Sequence, residues 1–284
     1  TGLVAAGNIF MGMTESPVLI KNYLPTMNRS EIFLVMVSGM GTIAGSVMGT
    51  YIGMLGGTDP AAKVLFATHL LSASVMAVPG SIVLAKMLCP QTEEATDHVA
   101  ISGKEKENSN ILDAISSGTV TGVKLMTNIA AMLLVFISLV ALANYITEGV
   151  IGRYTGLNDW IVKITDGKAQ GLTFQFILGV ITSPFMWLIG VPSQDIMLVG
   201  SLLGQKTILN EFVAYFQLQQ WKDAGLFMYE KSILMSTYIL CGFANISSIG
   251  ILLGGLGVLA PEKRGLISRI GVPAMIGGAL VSVL

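Results

Sequence analysis

Apolar residues along this chain gather into stretches too long and too uniform for one face of a soluble helix, each stopped by glycine, proline or a cluster of charge. A bilayer core of about 30 Å is crossed by about 20 mostly apolar helical residues. Residues 32–57 and 62–88 meet that length and predict crossings. Residues 1–20 are as apolar but carry Asn8, Thr14, Glu15 and Pro17, which predicts two half-elements meeting at Gly12. Residues 89–110 hold Glu93, Glu94, Asp97, Lys104, Glu105, Lys106 and Glu107 and read as a solvated loop. A long helix with an amphipathic start is predicted over 111–146, followed by a polar stretch over 147–171. Residues 172–188 are apolar until Gly190-Val191-Pro192 breaks them, and 196–215 are apolar yet contain Lys206, Asn210 and Glu211, a second broken pair. Residues 227–256 form a crossing interrupted at 242–248, and 267–284 begin a last helix.

One order occurs twice. A broken apolar hairpin with an acid, Asn8 to Glu15, precedes a glycine-rich interruption at 41–46, and Asn210-Glu211 precedes the interruption at 242–248. Two structural repeats with discontinuous helices are the mark of a secondary transporter with its site at the breaks. Glu15 and Glu211 are the sharpest signals, because an ionisable residue inside an apolar segment costs on the order of 3 kcal/mol. Backbone amides at a helix N-terminus offer one way to satisfy such an acid; a binding site or ion path is the other. Asn8, Thr14, Asn210, Asn245, Ser247 and Ser248 add neutral donors and acceptors at the same breaks. Carboxylates and amides together match a neutral polar ligand with hydroxyls and a hydrogen-bonding ring, whereas an anionic ligand would call for Arg or Lys. Gly41, Gly45, Gly49, Gly53 and Gly57 form a stripe that lets another helix approach closely.

Composition narrows the classes. Charged residues are 12% of the chain against about 25% in soluble domains, and mean hydropathy is +0.72. The net charge of -1 provides no basic face for nucleic acid. Cys89 and Cys241 have neither disulfide-framework nor zinc-site spacing. Residues 200–207 read GSLLGQKT, which misses the phosphate-loop pattern because Gln205 stands between Gly204 and Lys206. His69 and His98 have no nearby nucleophile or metal-ligand spacing, so no enzyme is indicated. Lys and Arg occur on most loops, which leaves membrane orientation open.

The strings GNIFMGMTESPVLIKNYLPTMNRSE, GTIAGSVMGTYI, GSLLGQKTILNEFVAY and CGFANISSIGILLGGLGVLAPEKR closely resemble the concentrative nucleoside transporters, in that family's order and over essentially the whole chain. The resemblance implies an all-α membrane protein with two re-entrant hairpins and two discontinuous helices, an inverted-repeat transporter of the elevator type. It divides the chain into 1–88, the first hairpin and following helices; 89–110, a polar loop; 111–148, a long scaffold helix; and 149–284, the second hairpin, unwound helix and last helix. The family's N-terminal membrane helices are expected to precede this stretch. By motif, Gly12, Met13, Thr14 and Glu15 fall at the nucleobase-facing turn with Val47 beside it. Glu211, Asn245 and Ser248 fall where the family holds ribose, with Phe243 lining that pocket. Asn8, Met11, Thr42 and Ile43 match the family's sodium positions.

Sodium-coupled symport of neutral nucleosides follows from the resemblance, with no other cofactor, in a homotrimer within a bacterial inner membrane. Two departures stand out: Met13 replaces the glutamine common in this turn, leaving base preference open, and Thr42 replaces a serine while keeping the hydroxyl. Proton coupling is the alternative within the transporter class. A channel or structural subunit would explain the glycine stripe but not the two acids.

Overall fold

The computed structural model describes residues 1–93, 141–165, 167 and 169–284, together with scattered positions from 110 to 139. Most of the expected loop at 89–110 and half of the long helix at 111–146 lie outside the described residues. The described residues are helical, without strands. The chain divides into two compact units, Thr1–Val99 with Gln175–Leu284, and Ala100–Phe174.

The first unit opens with the short helix α1 (Gly2–Gly7), a turn, and a 3-10 segment, Ser16–Ile20, so the first twenty residues are a broken hairpin as their polar interruptions predict. Helix α2 (Arg29–Gly41) starts at a reciprocal cap: Asn28 Oδ1 accepts from the Glu31 N–H and Glu31 Oε2 accepts from the Asn28 N–H, each at 3.0 Å. Nearly every residue of α2 is buried, which suits a helix apolar on all sides. It stops at Thr42, whose backbone is extended and whose hydroxyl donates to the Ser38 carbonyl at 2.9 Å, satisfying a carbonyl that the helix end leaves free. Ala44 is also extended, and α3 (Gly45–Gly56) then resumes. Asp59 caps α4 (Pro60–Leu88), accepting from the N–H groups of Ala61 and Ala62, and this helix runs on through Pro79.

In the second unit the polar stretch at 147–171 lies on a π-helical segment, Tyr145–Gly152, and a short helix α5 (Leu157–Ile164). Two asparagines organise it. Asn158 donates to the Glu148 carbonyl and accepts from the Leu172 N–H, both at 3.0 Å, and Asn144 accepts from the Phe174 N–H at 2.7 Å.

Helix α6 (Phe174–Leu188) leads back into the first unit, followed by α7 (Ile196–Ile208) and α8 (Glu211–Asp223), which form the second hairpin. Asn210 caps α8 by accepting from the Val213 N–H at 2.9 Å. Helix α9 (Glu230–Leu240) stops at Cys241, and α10 (Ile246–Leu259) starts at Asn245, so the interruption is 241–245, slightly earlier than the 242–248 read from composition. Helix α11 (Arg264–Val283) closes the fold.

Three described spans are long and apolar enough to cross a membrane: Arg29–Gly56, Pro60–Leu88 and Pro261–Val283. One apolar core joins α2, α4, α10 and α11, exemplified by Met36, Ala77, Leu252 and Ala274. Another joins α3, α4, α7 and α8 through Leu55, Leu70, Leu202 and Tyr215. The two interrupted helices meet at their breaks. Gly242 has φ +125°, and a Cβ there would sit 2.8 Å from the Met40 carbonyl oxygen and 3.0 Å from that of Gly41. Only glycine combines that backbone with so close an approach.

Candidate functional site

At the second break, Glu211 is the first residue of α8 and is 7% exposed. Its carboxylate accepts from Tyr51 Oη of α3 at 3.2 Å and from Asn245 Nδ2 at 3.0 Å. The Asn245 oxygen caps α10, accepting from the Ser248 N–H at 2.9 Å, Ser248 Oγ at 3.0 Å and Ser247 Oγ at 2.6 Å. An acid thus begins one helix and is bonded to the cap of a second, so the positive ends of both helix dipoles favour negative charge here. Glu211 is satisfied both by its own backbone amide at the start of α8 and by side chains from distant segments. Tyr51 and Tyr215 are both fully buried and stack with ring centroids 4.1 Å apart. Val47, one turn before Tyr51, and Phe243, in the break itself, are half-buried against the same cluster.

At the first break, Asn8 is fully buried: its Nδ2 donates to Ser38 Oγ at 3.1 Å and its Oδ1 accepts from Ser16 Oγ. Thr42, also buried, is bonded to the Ser38 carbonyl, so Ser38 links the two polar side chains matched to the sodium positions. Ile43 is fully buried, and Met11 is half-buried beside Gly7. The Phe10 carbonyl accepts from the Gly45 N–H at 2.9 Å, which ties the hairpin turn to the start of α3. Asn8, Ser38 and Thr42 present oxygens, with carbonyls freed by the helix break, and hard oxygen ligands of this kind suit an alkali cation.

The turn between the arms of the first hairpin departs from expectation in two respects. Glu15 is exposed, with its carboxylate against Gly12 of its own turn, so the expected pair of interior acids reduces to Glu211 alone. Met13 is 7% exposed and belongs to the apolar core, where a Cβ at Gly39 would come within 2.8 Å of its own Cβ. A thioether has no strong donor to keep at a polar surface, and a glycine on α2 leaves room for it. Gly12 is buried, and Thr14 lies against Gly255 of α10.

The structure therefore gathers Glu211, Asn245 and Ser248 into one cluster and Asn8 with Thr42 into another. Tyr51, Ser16 and Ser38 escaped the sequence reading. Tyr51 could have been found as the residue one helical turn beyond Val47, whereas the serines carry no signal that sets them apart from ordinary helix-packing hydroxyls.

A family model described as Na+ dependent nucleoside transporter C-terminus matches residues 69–284. An uncharacterized transporter of Haemophilus influenzae is 39% identical over 283 residues, covering 99% of this chain and 63% of that protein. Sodium/nucleoside cotransporter 1 of Rattus norvegicus is 39% identical over 296 residues, covering 99% of this chain and 42% of that protein. Among solved structures, CNTnw in an inward-facing substrate-bound state superposes with a TM-score of 0.81 at 35% identity, covering 99% of this chain and 61% of that one. The chain thus spans less than two thirds of the length of these relatives. They are transporters and not enzymes, as expected from the lack of a catalytic motif.

Proposed function

This chain belongs to the Na+ dependent nucleoside transporter family, and from that premise we propose that it is the substrate-carrying part of a sodium-coupled symporter for neutral nucleosides. The observation that carries the reading is the buried acid Glu211, held by Tyr51 and Asn245 at two helix starts. A buried carboxylate accepts from hydroxyls, and a ribose supplies a vicinal pair of them. Asn245 can both donate and accept, and Ser248 adds a hydroxyl. Phe243 and Val47 supply apolar walls. The turn Gly12 to Glu15 faces the base, with Met13 supporting it from the core and Thr14 and Glu15 offering polar groups.

Sodium is held at the first break by Asn8 and Thr42 with backbone oxygens of Met11 and Ile43. Because Gly242 in the second break packs against Met40 and Gly41 at the end of α2, immediately before the break at 42–44, an ion that orders the first break also orders the second. Ion binding thereby raises nucleoside affinity, and by linkage nucleoside raises ion affinity equally. The loaded segments, 1–88 and 175–284, then move across the membrane as a body within a homotrimer. The test is uridine binding to the purified full-length protein in sodium and in choline. Sodium should tighten binding at least about tenfold; equal affinity in both salts with pH-dependent uptake would establish proton coupling instead.

A further inference from the structure

The interruption at 241–245 exposes the carbonyl end of α9 in the protein interior. The last carbonyls of a helix have no intrahelical partner, so each needs a donor from elsewhere. The Thr237 carbonyl accepts from Tyr215 Oη at 2.7 Å, that of Tyr238 from the Cys241 N–H at 2.9 Å, and that of Ile239 from Lys206 Nζ at 2.8 Å. Lys206 stands in the last turn of α7 and is fully buried, and its ammonium also donates to Ser282 Oγ of α11 at 2.8 Å. Both acceptors are neutral oxygens. A buried ammonium is costly unless compensated, and two groups compensate it here: the negative end of α9, equivalent to about half an elementary charge, and the buried Glu211 carboxylate, whose charge also acts on it.

The first interruption is built the other way. The carbonyl end of α2 lies beside Asn8, Ser16, Ser38 and Thr42, which are bonded to one another and are all neutral. In both halves the first arm of a hairpin delivers a side chain to the end of a broken helix. In the first half that side chain is the amide of Asn8; in the second it is the ammonium of Lys206.

Resting on the sodium-coupled reading above, we propose that Lys206 is a covalently attached cation that does at the second break what sodium does at the first. The second break therefore binds no ion, and one sodium accompanies each nucleoside. Lys206 is a positioning residue: it fixes the end of α9 and hence the 241–245 segment that carries Asn245 to Glu211. Removing the ammonium leaves the same carbonyl end open, and a second sodium becomes necessary to close it.

The experiment is uridine binding to the purified full-length protein across a sodium series balanced with choline, on wild type, Lys206→Ser and Lys206→Arg. Wild type and Lys206→Arg should depend on sodium with a Hill coefficient of about one, and Lys206→Ser with a coefficient rising towards about two and a midpoint about tenfold higher. A folded Lys206→Ser protein with the wild-type midpoint and coefficient would overturn the proposal. So would a wild-type coefficient of about two, which decides the matter even if the serine variant does not fold. Should wild type bind uridine equally in choline, the sodium-coupled reading fails separately. The lysine is then judged by whether Lys206→Ser gains a sodium requirement that wild type lacks: a gain supports its role, and no gain overturns it.

Discussion

Asn245 donates its side-chain amide to the Glu211 carboxylate at 3.0 Å while its oxygen caps α10, so one residue joins the acid to the helix beyond the second break. Asn245→Asp separates these two duties. Aspartate caps a helix as well as asparagine, but it replaces the donor with a second carboxylate beside Glu211. The variant should fold and yet bind uridine at least about tenfold more weakly at neutral pH, a loss of about 1.5–3 kcal/mol. Circular dichroism for helix content and calorimetry for affinity check the two halves.

Tyr51→Phe removes the 3.2 Å bond to Glu211 but leaves the stacked ring on Tyr215. The loss of a bond to a charged acceptor should weaken uridine binding by about 1.5–3 kcal/mol, about tenfold or more, with a smaller change in thermal midpoint. Competition binding on detergent-solubilised protein measures it.

Gly242→Ala places a Cβ 2.8 Å from the Met40 carbonyl oxygen on a backbone that L residues rarely adopt. The variant should lose about 1–3 kcal/mol of stability. Gly254→Ala is the matched control in α10, where a Cβ meets nothing within 4 Å, and it should be neutral or slightly stabilising. Thermal unfolding of the two side by side gives the comparison.

Much of the fold was legible because its punctuation is chemical. Gly190-Val191-Pro192, the Asn210-Glu211 pair and the polar run after Leu240 each mark a place where an apolar helix has to stop, and helices end at each of them. The gathering of Glu211, Asn245 and Ser248 followed from the same logic, since each is polar at the start of a helix. What stayed hidden depends on side-chain direction. Glu15 and Glu211 look alike in sequence, yet one turns outward at a hairpin tip and the other inward beneath Tyr51. Lys206 sits among apolar residues whose helix could have carried it to either side, and its burial is explained by what it meets there: the end of α9, Ser282 and the charge of Glu211. The helix over Leu157–Ile164 was masked by its charges, which face outward while Ile161 is buried.

Met13→Gln puts an amide where the thioether packs over Gly39. An amide buried without a partner costs about 1–3 kcal/mol, so the thermal midpoint should fall. If the side chain stays in the core, the affinity ratio of uridine to adenosine is unchanged. A shift in that ratio would mean that residue 13 reaches the base.

Asn8→Ala removes the oxygen and amide that connect Ser16 to Ser38. The sodium concentration for half-maximal uridine uptake should rise about tenfold, with maximal uptake approached at high sodium. Uptake into proteoliposomes over a sodium series reads it directly.

The central claim is that Glu211 is the ribose-hydroxyl acceptor, and a two-by-two comparison tests it most directly: uridine and 2′-deoxyuridine titrated into wild type and Glu211→Gln at saturating sodium. Wild type should prefer uridine by about tenfold or more, because the deoxy compound leaves a buried carboxylate without its donor. In Glu211→Gln that preference should shrink to about twofold or less, with uridine affinity itself reduced. An unchanged preference in the folded variant would contradict the assignment and move the ribose site away from Glu211.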